Sequence, residues 1–160
     1  MPEQSKIAKA LAMLPNPVAV LIVKDQDETN GMIASWITQV SSDPPRILVA
    51  VHPSRYTHAM IHSAGFFTLN LLAQGQEDRV PQLKLKGGKR EEKFAGLEVA
   101  QGPNDQPYLP DSAAVFFCKL ADVLEAGDHT LFVAEVTAAQ SNDAAPLSTT
   151  TLGKAYSGRE

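Results

Sequence analysis

The sequence predicts a mainly β fold, a small antiparallel barrel of six strands with a few short helices. Three observations predict it. Six runs of strand length, rich in β-branched and aromatic residues, recur along the chain. Most are separated by short turns carrying Gly, Pro, Asn or Asp, which suit antiparallel neighbours. Several of the runs are apolar at nearly every position, so their outer faces must be covered by helices or by a second subunit.

The elements follow in order. Residues 3–14 place Ile7, Leu11 and Leu14 at helical spacing, and Pro15 and Pro17 stop the pattern. VAVLIV (Val18 to Val23) is a β-branched strand. KDQDETNG is a polar turn in which Asn30-Gly31 is the hairpin signal, because both residues tolerate positive φ. MIASWITQV returns as the second strand, Asp43-Pro44-Pro45 breaks it, and RILVAV is the third. PSRYTHAMIHSAG is a short helix with Ser54 as N-cap and Gly65 as C-cap. FFTLNLL is the fourth strand, and residues 76–85 suit a further turn or two of helix. KGGKREEKFAG is a long polar loop of mixed charge. AVFFCKLADVL and HTLFVAEVTAA, joined by EAGDH, are the last two strands. No repeat, low-complexity tract or linker divides the chain, so residues 1–160 read as a single domain.

Composition narrows the class. The chain has 160 residues, 44% hydrophobic and 20% charged, which excludes disorder. A net charge of -4, with both signs dispersed, argues against nucleic acid as a partner. No apolar run approaches the roughly 20 residues that span a bilayer, and the amphipathic start carries no cleavage pattern. The expectation is a cytoplasmic protein. Cys118 is alone, so neither an internal disulfide nor a cysteine metal cluster is available.

Four places carry candidate chemistry. In the second strand neither face is uniformly apolar, and its small and hydroxyl residues flank Trp36, the only tryptophan. Such a strand suits either a flat polar heterocycle or a core whose hydroxyls bond to backbone. Ser54, Arg55 and Thr57 stand at a helix start, where free N–H groups and the dipole favour an anion; simple capping is the alternative. Lys89, Arg90 and Lys93 belong to a charge run that either folds over such an anion or is plain solvated surface. His129 opens a strand beside Asp128, as a ligand contact, a proton donor or a turn residue. His52, His58 and His62 match no metal spacing and suit solvated surface, so no metal is expected. Cys118 reads as small core. The hydrolase elbow, the dinucleotide fingerprint and the Walker loop are all absent from the sequence.

Taken in order, NGMIASWITQVSSDPPRILVAV, SRYTHAMI, GFFTLNLL, KFAG and AGDHTLFVAEV resemble the flavin reductase-like family, over about Leu14 to Ala139. Flavoredoxin and the flavin reductase domain of diflavin flavoproteins are the members most similar. The resemblance implies a six-stranded antiparallel split barrel that binds FMN, rather than FAD, in a groove near the interface of a homodimer. By position, Asn30 and Trp36, with Gly31, Met32, Ala34 and Ser35 between them and Thr38, Gln39, Val40 and Ser41 after them, would line the isoalloxazine. Ser54, Arg55, Tyr56 and Thr57 would meet the phosphate, with Lys93 and Phe94 of the KF pair beside them. Asn70, Leu71 and Leu72 would run along the ribityl chain, and Tyr156 would be the counterpart of a terminal aromatic. His129 would approach the flavin or the nicotinamide as the catalytic residue. GGKREE departs from the Ser-Gly-Arg element that relatives often carry before KFAG.

The activity so implied is reduction of bound flavin by NAD(P)H, a transient donor, with onward transfer to a flavin, ferric or protein acceptor. The alternative is a flavoredoxin-like carrier reduced by a partner redox protein.

Overall fold

The computed structural model describes residues 2–84 and 93–152. Its elements are α1 (Pro2–Leu11), β1 (Ala19–Asp25), β2 (Glu28–Ala34), β3 (Ile37–Ser42), β4 (Pro45–Val51), α2 (Tyr56–Ala64) and β5 (Phe66–Leu71). There follow α3 (Arg79–Leu83), β6 (Ala100–Gln101), β7 (Pro107–Tyr108), β8 (Ala114–Glu125), β9 (Thr130–Ser141) and α4 (Thr149–Leu152).

The main sheet has seven strands in the order β2-β1-β5-β8-β9-β4-β3, paired antiparallel throughout. Its two end strands, β2 and β3, are separated in sequence only by Ser35 and Trp36. Laid flat, six strand spacings would hold those ends about 29 Å apart. The chain from Ala34 to Ile37 reaches at most about 11 Å. The sheet is therefore rolled into a barrel, split where β2 hands over to β3.

That handover explains the strand count. MIASWITQV is one run in the sequence but two strands in the fold, because the Ile37 amide turns back to the Ser35 carbonyl at 3.0 Å and interrupts the alternation. Six expected strands thus become seven, with β6 and β7 forming a separate two-residue ladder.

The first hairpin also differs from expectation. Asp25 pairs with Glu28, so Gln26-Asp27 is the two-residue turn, with Gln26 at φ 56 in the left-handed region. Asn30 and Gly31 lie inside β2, opposite Val23 and Ile22. Gly31 is needed there for close approach instead. A Cβ on it would stand 2.9 Å from Phe94 Cζ and 3.2 Å from the Leu21 carbonyl oxygen.

β1 is buried on both faces, and each face feeds a different core. Leu21 and Val23 point into the barrel with Met32, Val49, Val51, Phe67, Leu69 and Phe132. Val18, Val20 and Ile22 point outward, where Ile33, Leu72, Val80, Leu83, Phe94, Leu109 and Leu147 cover them. The covering expected for strands apolar on both faces is thus supplied largely by α3 and irregular chain. Asn70 ties the two layers together. Its amide nitrogen donates to the Val20 carbonyl (2.9 Å) and to Thr68 Oγ1 (3.1 Å), and its oxygen accepts from the Leu109 amide (2.9 Å).

Candidate functional site

The site assembles where the start of α2 crosses the even-numbered face of β2. Three contacts define that crossing. Tyr56 is hydrogen-bonded to Glu28, Lys93 to Asn30, and the Thr57 hydroxyl donates to Met32 Sδ at 2.9 Å. Alternation along a strand places Glu28, Asn30 and Met32 on one side, so the three partners form a row about 7 Å between neighbours.

Lys93 is the centre of the row. It is 4% exposed, and its ammonium donates to Asn30 Oδ1 (2.8 Å) and to the Gly31 carbonyl (2.9 Å). Asn30 Oδ1 also accepts from the Gly31 amide at 2.8 Å. No carboxylate pairs with Lys93 among the described residues. Burial lowers its pKa below the ordinary lysine value, and the nearby Arg55 cation lowers it further. The two positive charges are therefore close enough to repel each other.

The first turn of α2 lies beside them. Gly65 ends the helix in the left-handed conformation (φ 74), its amide bonding back to the Ile61 carbonyl. The N-terminal end differs from the sequence expectation: Arg55, not Ser54, occupies the N-cap position, and no side chain caps the turn. The Ser54 hydroxyl is instead 2.8 Å from His52 Nδ1. The start of the helix, at Arg55, thus keeps backbone donors and its positive dipole end without a side-chain cap.

Beyond Met32 the row leads to an aromatic cluster. Trp36 stacks at a tilt on His129, ring centres 4.5 Å apart, and His52 meets His129 edge-on at 5.3 Å. His129 is buried, with its Nδ1 2.7 Å from Asp128 Oδ1, while Trp36 stays partly exposed at 37%. Ser35, which follows the last residue of β2, is 1% exposed, and its hydroxyl has no partner among the described residues. A buried hydroxyl without a partner costs about 1 to 3 kcal/mol, so a ligand's polar edge is its natural complement.

Several sequence-predicted residues are placed elsewhere. Thr38, Gln39, Val40 and Ser41 lie on β3, the end strand, with Thr38 to Val40 exposed and a bulge between Gln39 and Ser41. Asn70 is buried with its amide committed to the fold, Leu71 is half-buried, and Leu72 is fully buried in the outer core. Ala34 belongs to the barrel core, and Phe94 packs in the outer core against Gly31. Lys89, Arg90 and Tyr156 lie outside the described residues.

The sequence reading missed His52, whose role depends on a neighbour 77 positions away, His129. Of the two histidines expected at the surface, His62 is exposed, whereas His58 is half-buried and 2.7 Å from Thr130 Oγ1; both rings meet Phe132 edge-on. Helical spacing alone carries no sign of that strand. Among the described residues no three His, Cys, Asp or Glu side chains gather as metal ligands, and no helix is long and apolar enough to cross a membrane.

Comparison with known proteins places the chain in a family. The model of the flavin reductase-like domain covers residues 11–154. The chain is 35% identical over 130 residues to the stachydrine N-demethylase reductase subunit of Rhizobium meliloti, covering 79% of this chain and 55% of that protein. It is 32% identical over 138 residues to an NADH:riboflavin 5′-phosphate oxidoreductase of Streptomyces pristinaespiralis, covering 85% and 77%. An NADH:FAD oxidoreductase of Streptomyces globisporus superposes with a TM-score of 0.79 at 25% identity, covering 91% of this chain and 87% of that one. The chain spans about half, or less, of the length of the curated relatives it matches first. With the family model matching most of its length and relatives above 30% identity, the chain belongs to the flavin reductase-like domain family.

Proposed function

We propose that this chain binds FMN and serves as an NAD(P)H-dependent flavin reductase. The observation that carries the reading is Lys93: a buried ammonium, held only by neutral acceptors among the described residues, next to Arg55 and an uncapped helix start. Burying an uncompensated charge is costly, and a phosphate is the group that would balance it. Lys93, Arg55 and the amides at the start of α2 would hold that phosphate. Ser35 would bond the polar edge of the ring system, and Trp36 would cover it from solvent.

When bound, the flavin supplies the capacity to accept a hydride and release electrons in one or two steps. The protein's part is to bind, orient and exclude water. Asp128 accepts from His129 Nδ1–H and so directs Nε2 as the working nitrogen of that imidazole. Trp36 and His52 pack against the His129 ring and keep it in place.

The reading includes a homodimer, since Val40 on β3 and Ile7, Leu11 and Leu14 along and just beyond α1 are exposed apolar groups suited to a second copy.

The test is to load the purified protein with FMN, remove the excess and mix it anaerobically with NADH or NADPH. Loss of the visible flavin bands within seconds supports the reductase. A loaded protein that stays yellow with both donors is a carrier reduced by another protein. A protein that retains no flavin refutes the binding site itself.

A further inference from the structure

We infer that Gln82 of α3 is a positioning residue, which fixes the backbone around Lys93 and so holds the buried ammonium where a phosphate can meet it; this rests on the flavin reading above. Its side-chain nitrogen donates to the Lys93 carbonyl (2.8 Å) and to the Ala95 carbonyl (2.9 Å). Both partners are acceptors, so only the NH2 end of the amide serves, and an isosteric carboxylate would be repelled.

The first argument is what a lysine needs. Its charge rides on a flexible four-carbon stem, so the ammonium keeps one place only where both ends of the residue are held. The ammonium end of Lys93 is held on β2, by Asn30 Oδ1 and the Gly31 carbonyl. The backbone end belongs to the turn KFAG, off the main sheet. There the Leu97 amide returns to the Phe94 carbonyl at 3.0 Å, and Gly96 takes φ 75, in the left-handed region. Gln82 takes the carbonyls on either side of Phe94. The carbonyls of residues 93, 94 and 95 are thus all bonded, and the turn has one shape.

The second argument is the platform that carries Gln82. Helix α3 is anchored twice. Val80 and Leu83 are buried in the outer core that also holds Phe94. Arg79 grips Asp111 through both guanidinium nitrogens, with Nη1 2.8 Å from Oδ1. A half-buried glutamine on such a base transmits the position of α3 to the turn. Because its bonds go to backbone, Gln82 acts on a ligand through the lysine.

The test is a double-variant cycle on the full chain, read as the Kd for FMN divided by the Kd for riboflavin. Wild type, Gln82→Met, Lys93→Met and the double variant are each titrated with both flavins. Methionine keeps the volume and removes the donors. Gln82→Met is expected to raise the ratio about fivefold or more, with riboflavin within about twofold of wild type. The double variant is expected to match Lys93→Met within about twofold, since the glutamine works only through the lysine. An unchanged ratio in Gln82→Met, an equal weakening of FMN and riboflavin, or a further loss in the double variant overturns the inference. Where Gln82→Met does not fold, Gln82→Ala at this half-buried position decides by the same criteria. A wild-type ratio near one refutes the phosphate reading, and this inference with it. A wild-type ratio well below one that Lys93→Met abolishes upholds that reading, whatever the Gln82 variants do.

Discussion

The Lys93 ammonium lies 2.8 Å from the Asn30 side-chain oxygen and 2.9 Å from the Gly31 carbonyl, inside a surface that leaves it 4% exposed. Three distant parts of the sequence meet there: β2, the start of α2 and the KF pair. A charge so placed has consequences for stability as well as for binding.

Because burial and Arg55 depress the Lys93 pKa, the unfolded chain binds more protons than the folded one between the depressed value and the ordinary 10.5. Stability from this group is therefore present above 10.5 and lost as pH falls through the folded-state pKa. Thermal unfolding of the flavin-free chain, compared with Lys93→Met, should show wild type gaining on the variant as pH rises toward 10.5. A constant difference across that range would mean that the lysine is effectively solvated.

Gly31→Ala should destabilise by about 1 to 3 kcal/mol, since the new methyl meets the Phe94 ring at 2.9 Å and the Leu21 carbonyl at 3.2 Å. Phe94→Leu should relieve only part of the loss, because the Leu21 backbone cannot withdraw. Denaturant unfolding of both single variants and the double variant checks this through the coupling energy.

Asn70→Leu should lower stability by about 2 to 4 kcal/mol, as it breaks three buried hydrogen bonds and strands the Leu109 amide. At temperatures where the variant is folded, its FMN affinity should stay within about twofold of wild type. A large drop in affinity with little change in stability would return Asn70 to the ligand, where the sequence resemblance put it.

These cases show what the sequence makes legible. The strands, the barrel class and the family were all readable, because β-branched runs and turn residues are local signals and the motifs keep their order. The handover at Ser35-Trp36 was not, since nothing in MIASWITQV marks where pairing passes from β1 to β4. Asn30-Gly31 imitates a hairpin turn because the same small residue serves tight turns and close packing, and only the position of Phe94 decides between them. Tertiary partners likewise hid the Ser54–His52 bond and the Phe132 packing of His58 and His62.

His58 offers an acid-side test. Desolvation lowers its pKa below 6.5, with the charges of His62 and His52 adding to the effect. The folded chain then binds fewer protons than the unfolded chain just below pH 6.5, so this contribution is present above 6.5 and lost as pH falls through the folded pKa. The melting temperature should drop across that window, and His58→Gln should flatten part of the drop. An identical pH profile in the variant would place the acid sensitivity elsewhere.

The central claim is that Lys93 awaits a phosphate, and a pair of titrations tests it most directly. Wild type and Lys93→Met are each titrated with FMN and with riboflavin, which has the same ring and no phosphate. The account predicts that the variant binds FMN about 10- to 100-fold more weakly, equivalent to roughly 1.4 to 2.8 kcal/mol, and binds riboflavin as wild type does. Equal FMN affinity in the two proteins would contradict it and put the phosphate somewhere other than between β2 and α2.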